Sequence, residues 1–132
     1  MEEKEKLPER SPEISYVLPT VPERYHLEDT DKTETHRDWL YVNDKGQYLC
    51  FGYLTKETTY ATSHIIFSTD GMEQKTVLIH GKPAEYYFDV TGEHSNLIVW
   101  KDEEQEDLLY ITAYLSEAEL IQLAEAVVRE EK

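Results

Sequence analysis

Residues 108–128 read LLYITAYLSEAELIQLAEAVV, an alternating apolar run that passes directly into a helical pattern. Successive side chains of an extended strand point to opposite faces. Leu109, Ile111, Ala113 and Leu115 therefore share one face, and Leu108, Tyr110, Thr112 and Tyr114 the other. Ser116, followed three residues later by Glu119, is a capping box in which each side chain satisfies a backbone N–H of the first helical turn. Beyond it Leu120, Ile121, Leu123, Ala124, Val127 and Val128 recur at helical spacing and form an apolar stripe. A stripe of that kind has to be buried, and the odd-numbered face of the preceding strand is the nearest apolar surface. The stretch predicts a C-terminal helix packed on a sheet.

The rest of the chain supplies strands for that sheet. DWLYVN and QYLCFGYLT flank Asp44-Lys45-Gly46 within residues 38–55, a hairpin with Gly46 in the left-handed position of its turn. If Asn43 pairs with Gln47, Tyr41 lies opposite Leu49 and Trp39 opposite Phe51 on one face, while Leu40, Val42, Tyr48 and Cys50 fall on the other. Both faces are apolar, which places the hairpin near the middle of the sheet. QKTVLIH, the turn Gly81-Lys82-Pro83 and AEYYFDV make a second hairpin; NLIVW, the acidic connection KDEEQED and LLYITAYL make a third. Residues 64–67 read as one more short strand. Ile14, Tyr16 and Leu18, then Val21 to Leu27, suit an edge strand or an extended clasp, and residues 28–37 lack any large apolar side chain and read as a loop. The expected fold is α+β: a curved antiparallel sheet of about six or seven strands with one C-terminal helix on one face. Residues 1–13 are a solvated lead-in and 14–132 a single domain, a size that suits one core of ~100–150 residues.

Charge narrows the partners. The 132 residues carry 28 acidic and 13 basic side chains, a net charge of −15. Nucleic-acid affinity rests on clustered Lys and Arg, so no nucleic-acid partner is expected. No run approaches the ~20 apolar residues of a membrane span, so no direct membrane insertion is expected. The single Cys50 sits mid-strand with no basic neighbour and reads as a small buried hydrophobe rather than a nucleophile. His26, His36, His64, His80 and His94 lack close ligand spacing, and the carboxylates of residues 102–107 lack the Gly a calcium loop needs. No metal, cofactor or enzymatic motif is expected.

The order of several segments resembles a known family. Val21-Pro22-Glu23-Arg24-Tyr25, Ile79-His80-Gly81 leading into Glu85-Tyr86-Tyr87, Asn96-Leu97-Ile98-Val99-Trp100, and Leu115-Ser116 with Glu119-Leu120 and Ala124 are similar to the bacterial family catalogued as domain of unknown function 4367. The resemblance spans residues 19–128 and departs from the family at Arg24, which stands where Gly is usual. It implies the extracytoplasmic C-terminal domain of a membrane-tethered, anti-sigma-factor-like protein; the membrane anchor that the family carries upstream is not in this sequence, which is then either an excised domain or a free version. Its outline is similar to the curved-sheet folds of lipoprotein carriers and envelope-stress sensors.

Two functions follow as expectations. The first is a non-catalytic sensory or interaction domain that binds an unknown protein or an apolar ligand. Its candidate face is the one turned away from the helix, with Tyr110, Thr112 and Tyr114 joined by Trp100 from a neighbouring strand, and with residues 14–37 as a possible cover. The second is a small acidic cytosolic inhibitor of immunity type that holds a basic partner through charge.

Overall fold

The central pairing follows from two adjacent apolar strands. A computed structural model of the chain describes residues 15–33, 36–55, 71–92, 95–102, 104 and 107–130. In it β3 (His36–Val42) turns into β4 (Tyr48–Leu54), with Trp39 opposite Phe51 and Tyr41 opposite Leu49, as the hairpin predicts. The turn closes through Asn43 N–H to the Gln47 carbonyl at 2.9 Å and places Gly46 at φ 79°. β4 then pairs with β8 (Asp107–Ala113), and β8 with β7 (Asn96–Asp102). Among the described residues the sheet has seven antiparallel strands, completed by β2 (His26–Lys32), β5 (Glu73–Ile79) and β6 (Lys82–Phe88), in the order β2-β3-β4-β8-β7-β6-β5.

Helix α1 (Glu117–Ala126) begins at the predicted capping box: the Glu119 N–H donates to Ser116 Oγ at 3.2 Å, and the Ser116 N–H to Glu119 Oε1 at 3.0 Å. Leu120 and Ala124 are fully buried against Leu109, Ile111 and Ala113 of β8 together with Ile98, Val77 and Tyr86. The fold class expected from the sequence, a mainly antiparallel sheet with one C-terminal helix, is the fold observed.

Several elements differ from expectation, each for an identifiable reason. Most of the described residues between 28 and 37 are strand rather than loop, 28–32 in β2 and 36–37 in β3. β2 pairs with β3 along His26–Lys32 with a bulge between Leu27 and Asp29, and all seven of its residues are exposed, so the ladder holds a strand that buries nothing and shows no apolar alternation. The second hairpin turns on His80-Gly81 alone, φ 51° and 79°, the left-handed pair of a type I′ turn. Pro83 lies inside β6, tolerated because β6 pairs with β7 only at residues 85–87. Val127 and Val128 are not helical. Val127 caps the helix in extended conformation, and β9 (Val128–Glu130) pairs with β1 (Ser15–Val17), β-branched residues suiting a ladder where a partner strand is at hand. The strand expected at 64–67 falls outside the described residues.

The small β1–β9 sheet is a strap that joins the two ends of the described chain on the helix side. The Tyr16 hydroxyl lies 2.7 Å from Asp102 Oδ2 and 2.8 Å from Asp107 Oδ2, and Arg129 Nη1 donates to Asp102 Oδ2 at 3.1 Å. Burial pulls the Asp102 carboxyl upward, but hydrogen bonds from Tyr16, Arg129 and the Glu104 N–H outweigh it and hold the group below the usual carboxylate range. The segment that follows β1 turns at Pro22-Glu23-Arg24-Tyr25, closed by Tyr25 N–H to the Pro22 carbonyl at 3.2 Å, with Arg24 at φ 77°. That is the third position of a type II turn, which favours Gly.

Two outcomes follow. Arg24→Gly should raise stability by about 0.5–1 kcal/mol, since a left-handed backbone costs a side-chain-bearing residue ~1–2 kcal/mol and glycine's greater unfolded-state freedom returns part of it; urea unfolding measures the change. Asp102 has a folded-state pKa below its unfolded one, so its contribution is present above the unfolded carboxylate range and is lost as pH falls through the folded value. Asp102→Asn should therefore lower the unfolding midpoint at neutral pH and flatten its decline on the acid side, checked by denaturant titration across pH.

Candidate functional site

The helix side of the sheet contains a cleft of about 410 Å³, lined by Trp100 and Leu109 of the sheet, Ala124 and Val127 of the helix end, Tyr16 and Arg129 of the strap, and the turn at Ile79, His80, Lys82 and Pro83. Each wall has a local cause. Trp100 is set directly opposite Leu109 in the β7–β8 register, so both point to the helix side. The His80 turn is tied to the end of the helix: its N–H donates to Glu125 Oε2 at 3.0 Å, and its Nε2 is 2.9 Å from the Glu125 carbonyl, which accepts a hydrogen bond from that nitrogen. The strap closes the opposite side through Arg129, whose second nitrogen reaches Glu104 Oε1 at 2.6 Å. The floor is apolar and the rim carries both signs of charge, a construction suited to an apolar body with polar ends.

The other face of the sheet is built differently. Val99, Tyr110 and Gly52 stand in one row across β7, β8 and β4, with Asp38 of β3 next to Gly52. A Cβ on Gly52 would clash with the Tyr110 hydroxyl, so the absent side chain is what lets the Tyr110 ring lie across β4. The hydroxyl ends 3.0 Å from His36 Nε2, and His36 Nε2 lies 3.2 Å from Asp38 Oδ2. Burial raises the Asp38 carboxyl, and His36 lowers it in part. Cys50, beside this group, has its thiol pushed up to about 12, first by burial and then by the Asp38 charge, against a hydrogen bond with Tyr110 that lowers it. A thiol held there is protonated near neutral pH and is a poor nucleophile.

The four residues singled out from the sequence are thus divided. Tyr110, Thr112 and Tyr114 share the face turned from the helix, as alternation predicts. Trp100 does not join them; its register partner is Leu109, and it lies on the helix side. Tyr110 is 4 % exposed and packs with Leu97 and Val99. Thr112 Oγ1 is 3.1 Å from Ser95 Oγ, and the Tyr114 ring meets Tyr48 edge-on at 5.9 Å between centroids. Residues 15–25 do not cover this face, because Tyr16, Leu18, Val21 and Tyr25 pack into the main core on the helix side. The pairing of β1 with β9, which follows the helix, holds them there.

Sequence reasoning missed the cleft. Its walls come from four separated segments, and only the β7–β8 register shows that Trp100 faces them. It also missed the grouping of His36, Asp38 and Tyr110, for which the one local signal is the Gly inside a strongly apolar strand.

No curated protein and no solved structure matches the chain. A family model described as Domain of unknown function (DUF4367) matches residues 15–127, from the first residue of β1 to the cap of the helix. The segments whose order carried the resemblance, from the Arg24 turn through β5, β6 and β7 to the capping box, all lie within that match, and the chain belongs to the DUF4367 family.

Proposed function

We propose that the chain is a non-catalytic binding module, the extracytoplasmic sensory or interaction domain of a membrane-associated bacterial regulator, and that it takes an apolar ligand or an apolar partner side chain in the Trp100 cleft. The cleft carries the reading. Its volume of about 410 Å³ lies within the ~300–1,000 Å³ of small-molecule sites, and an aromatic floor between two tied-down walls is a preorganised apolar receptor. The protonated Cys50 thiol agrees with a role in binding rather than in covalent chemistry. Among the described residues no helix is long and apolar enough to cross a membrane, so any attachment in this reading comes from outside them. The strap fits the same reading, since β1 is one wall's anchor and also the point where upstream sequence enters the fold.

An apolar reporter dye distinguishes the two faces. It should bind the wild-type chain with enhanced emission, bind Trp100→Ala at least about tenfold more weakly, a loss of ~1.4 kcal/mol, and bind Tyr114→Ser as it does wild type. Full binding by Trp100→Ala combined with loss in Tyr114→Ser would move the site to the opposite face and overturn the assignment. For the cellular part, protein expressed from its own locus should fractionate with membranes and be accessible to external protease; recovery in the cytosol would reject the tethered form.

A further inference from the structure

The connected end of the β2–β3 hairpin gathers metal-type donors from separate strands. His36 and Asp38 are two apart on β3 and project to one face, and the register sets Asp31 of β2 directly across from Asp38. Tyr110 arrives from the far side of β4 over Gly52, placing its hydroxyl 3.0 Å from His36 Nε2, the nitrogen that lies 3.2 Å from Asp38 Oδ2. One donor atom from each of Asp31, His36 and Asp38 falls within 4.8 Å of the other two.

Those separations suit a small ion. Bonds of ~2.0–2.1 Å in tetrahedral geometry set the donors about 3.3–3.4 Å apart. The distances from His36 Nε2 to Asp38 and Tyr110 already approach that value, while Asp31 Oδ2 lies 3.9 Å from the other ring nitrogen, Nδ1, and its side chain, 68 % exposed, has the freedom to swing to the Nε2 side. Electrostatics points the same way. Carboxylates directly opposed across two strands repel, and Asp29 adds a third acidic group to the same hairpin. A cation between Asp31 and Asp38 would turn that repulsion into attraction. The donor set also selects the class of ion, since an imidazole beside carboxylates suits zinc-type transition ions, whereas calcium and magnesium take oxygen ligands almost entirely. All four donors sit on paired strands, so the arrangement is held by the sheet rather than by a loop.

We propose that Asp31, His36 and Asp38 form a binding site for a divalent transition ion of zinc type, with the Tyr110 hydroxyl as an adjoining donor. The site is on the sheet face opposite the Trp100 cleft and stands independently of it. It escaped sequence reading because its ligands are joined by cross-strand register and not by spacing along the chain.

The test is calorimetric titration of the full chain with Zn²⁺, alone and in excess Ca²⁺ or Mg²⁺. One saturable equivalent is expected, insensitive to either competitor. Asp31→Asn and His36→Gln should each weaken it at least as much as the ~10–100-fold seen when only a supporting partner of a metal ligand is lost. Asp31 is exposed, so its variant tests the site even if His36→Gln proves unstable. Co²⁺ should give visible absorption bands in the wild-type chain that Asp31→Asn diminishes. Absence of a saturable equivalent, unchanged affinity in Asp31→Asn, or displacement by Ca²⁺ would each overturn the proposal, leaving His36, Asp38 and Tyr110 as a hydrogen-bonded network and any uptake to the acidic surface.

Discussion

The register of β8 is the constraint on which the rest of the molecule depends. β8 lies between β4 and β7 at the middle of the sheet, and because strand side chains alternate, one choice of register assigns every neighbour to a face. Leu109, Ile111 and Ala113 meet the helix, Phe51 and Ile98 follow onto the same side, and Tyr110 is left over Gly52 on the other. A slip of one residue would send Tyr110 and Thr112 into the helix contact and Ile111 to the far face. Leu120 and Ala124 would then have no apolar floor, and the Tyr110 hydroxyl would be buried without His36. The capping box fixes the axial position of the helix on this floor, since Ser116 follows β8 by only two residues. Helix and register thus reinforce each other locally, the consistency expected of a sequence that selects one fold.

The parts legible in the sequence were those where a local signal and a global need coincide. Asn43 and Gly46 mark a turn, the flanking residues alternate, and the β3–β4 register follows without further information. The same holds for Ser116 and Glu119. Elements went unread where one of the two was missing. β2 buries nothing, so its residues record no pattern. Val127 and Val128 fit a helical stripe as well as a strand, and only β1, more than a hundred positions earlier in the chain, decides between them. Trp100 was placed on the wrong face because its partner depends on where the acidic hairpin closes. Asp102 opposite Asp107 is the pair that closes it, and neither charge nor hydropathy marks that position.

Arg24 carries a backbone constraint of its own. The turn needs a positive φ at that position, and a Gly there would adopt it without strain. Arg bears the same geometry because the surrounding contacts over-determine it: Val21 and Tyr25, on either side of the turn, both pack into the main core. Conformational strain at a single exposed residue is small beside the burial of two large apolar side chains, each worth roughly 1.5–3 kcal/mol when fully removed from water. A Gly at this position would therefore be a matter of backbone conformation and would not by itself mark a binding position.

The two faces of the sheet differ in electrostatic character, and the net charge sharpens the contrast. With 28 acidic and 13 basic side chains the surface as a whole repels anions and attracts cations. On the helix side, Lys82 and Arg129 stand at the rim of an apolar cleft, with Asp102 and Glu104 held to Arg129. Local charge there is close to balanced, so affinity must come from the apolar floor and long-range steering contributes little. On the hairpin side, Asp29, Asp31 and Asp38 add to the global field, and His36 offsets Asp38 in part. Long-range attraction and local donors therefore favour a cation on one face, while the other selects by shape and apolar contact. A sheet covered by one helix has two unequal sides from the start; here the β8 register decides which residues each side receives, and so which chemistry each can support.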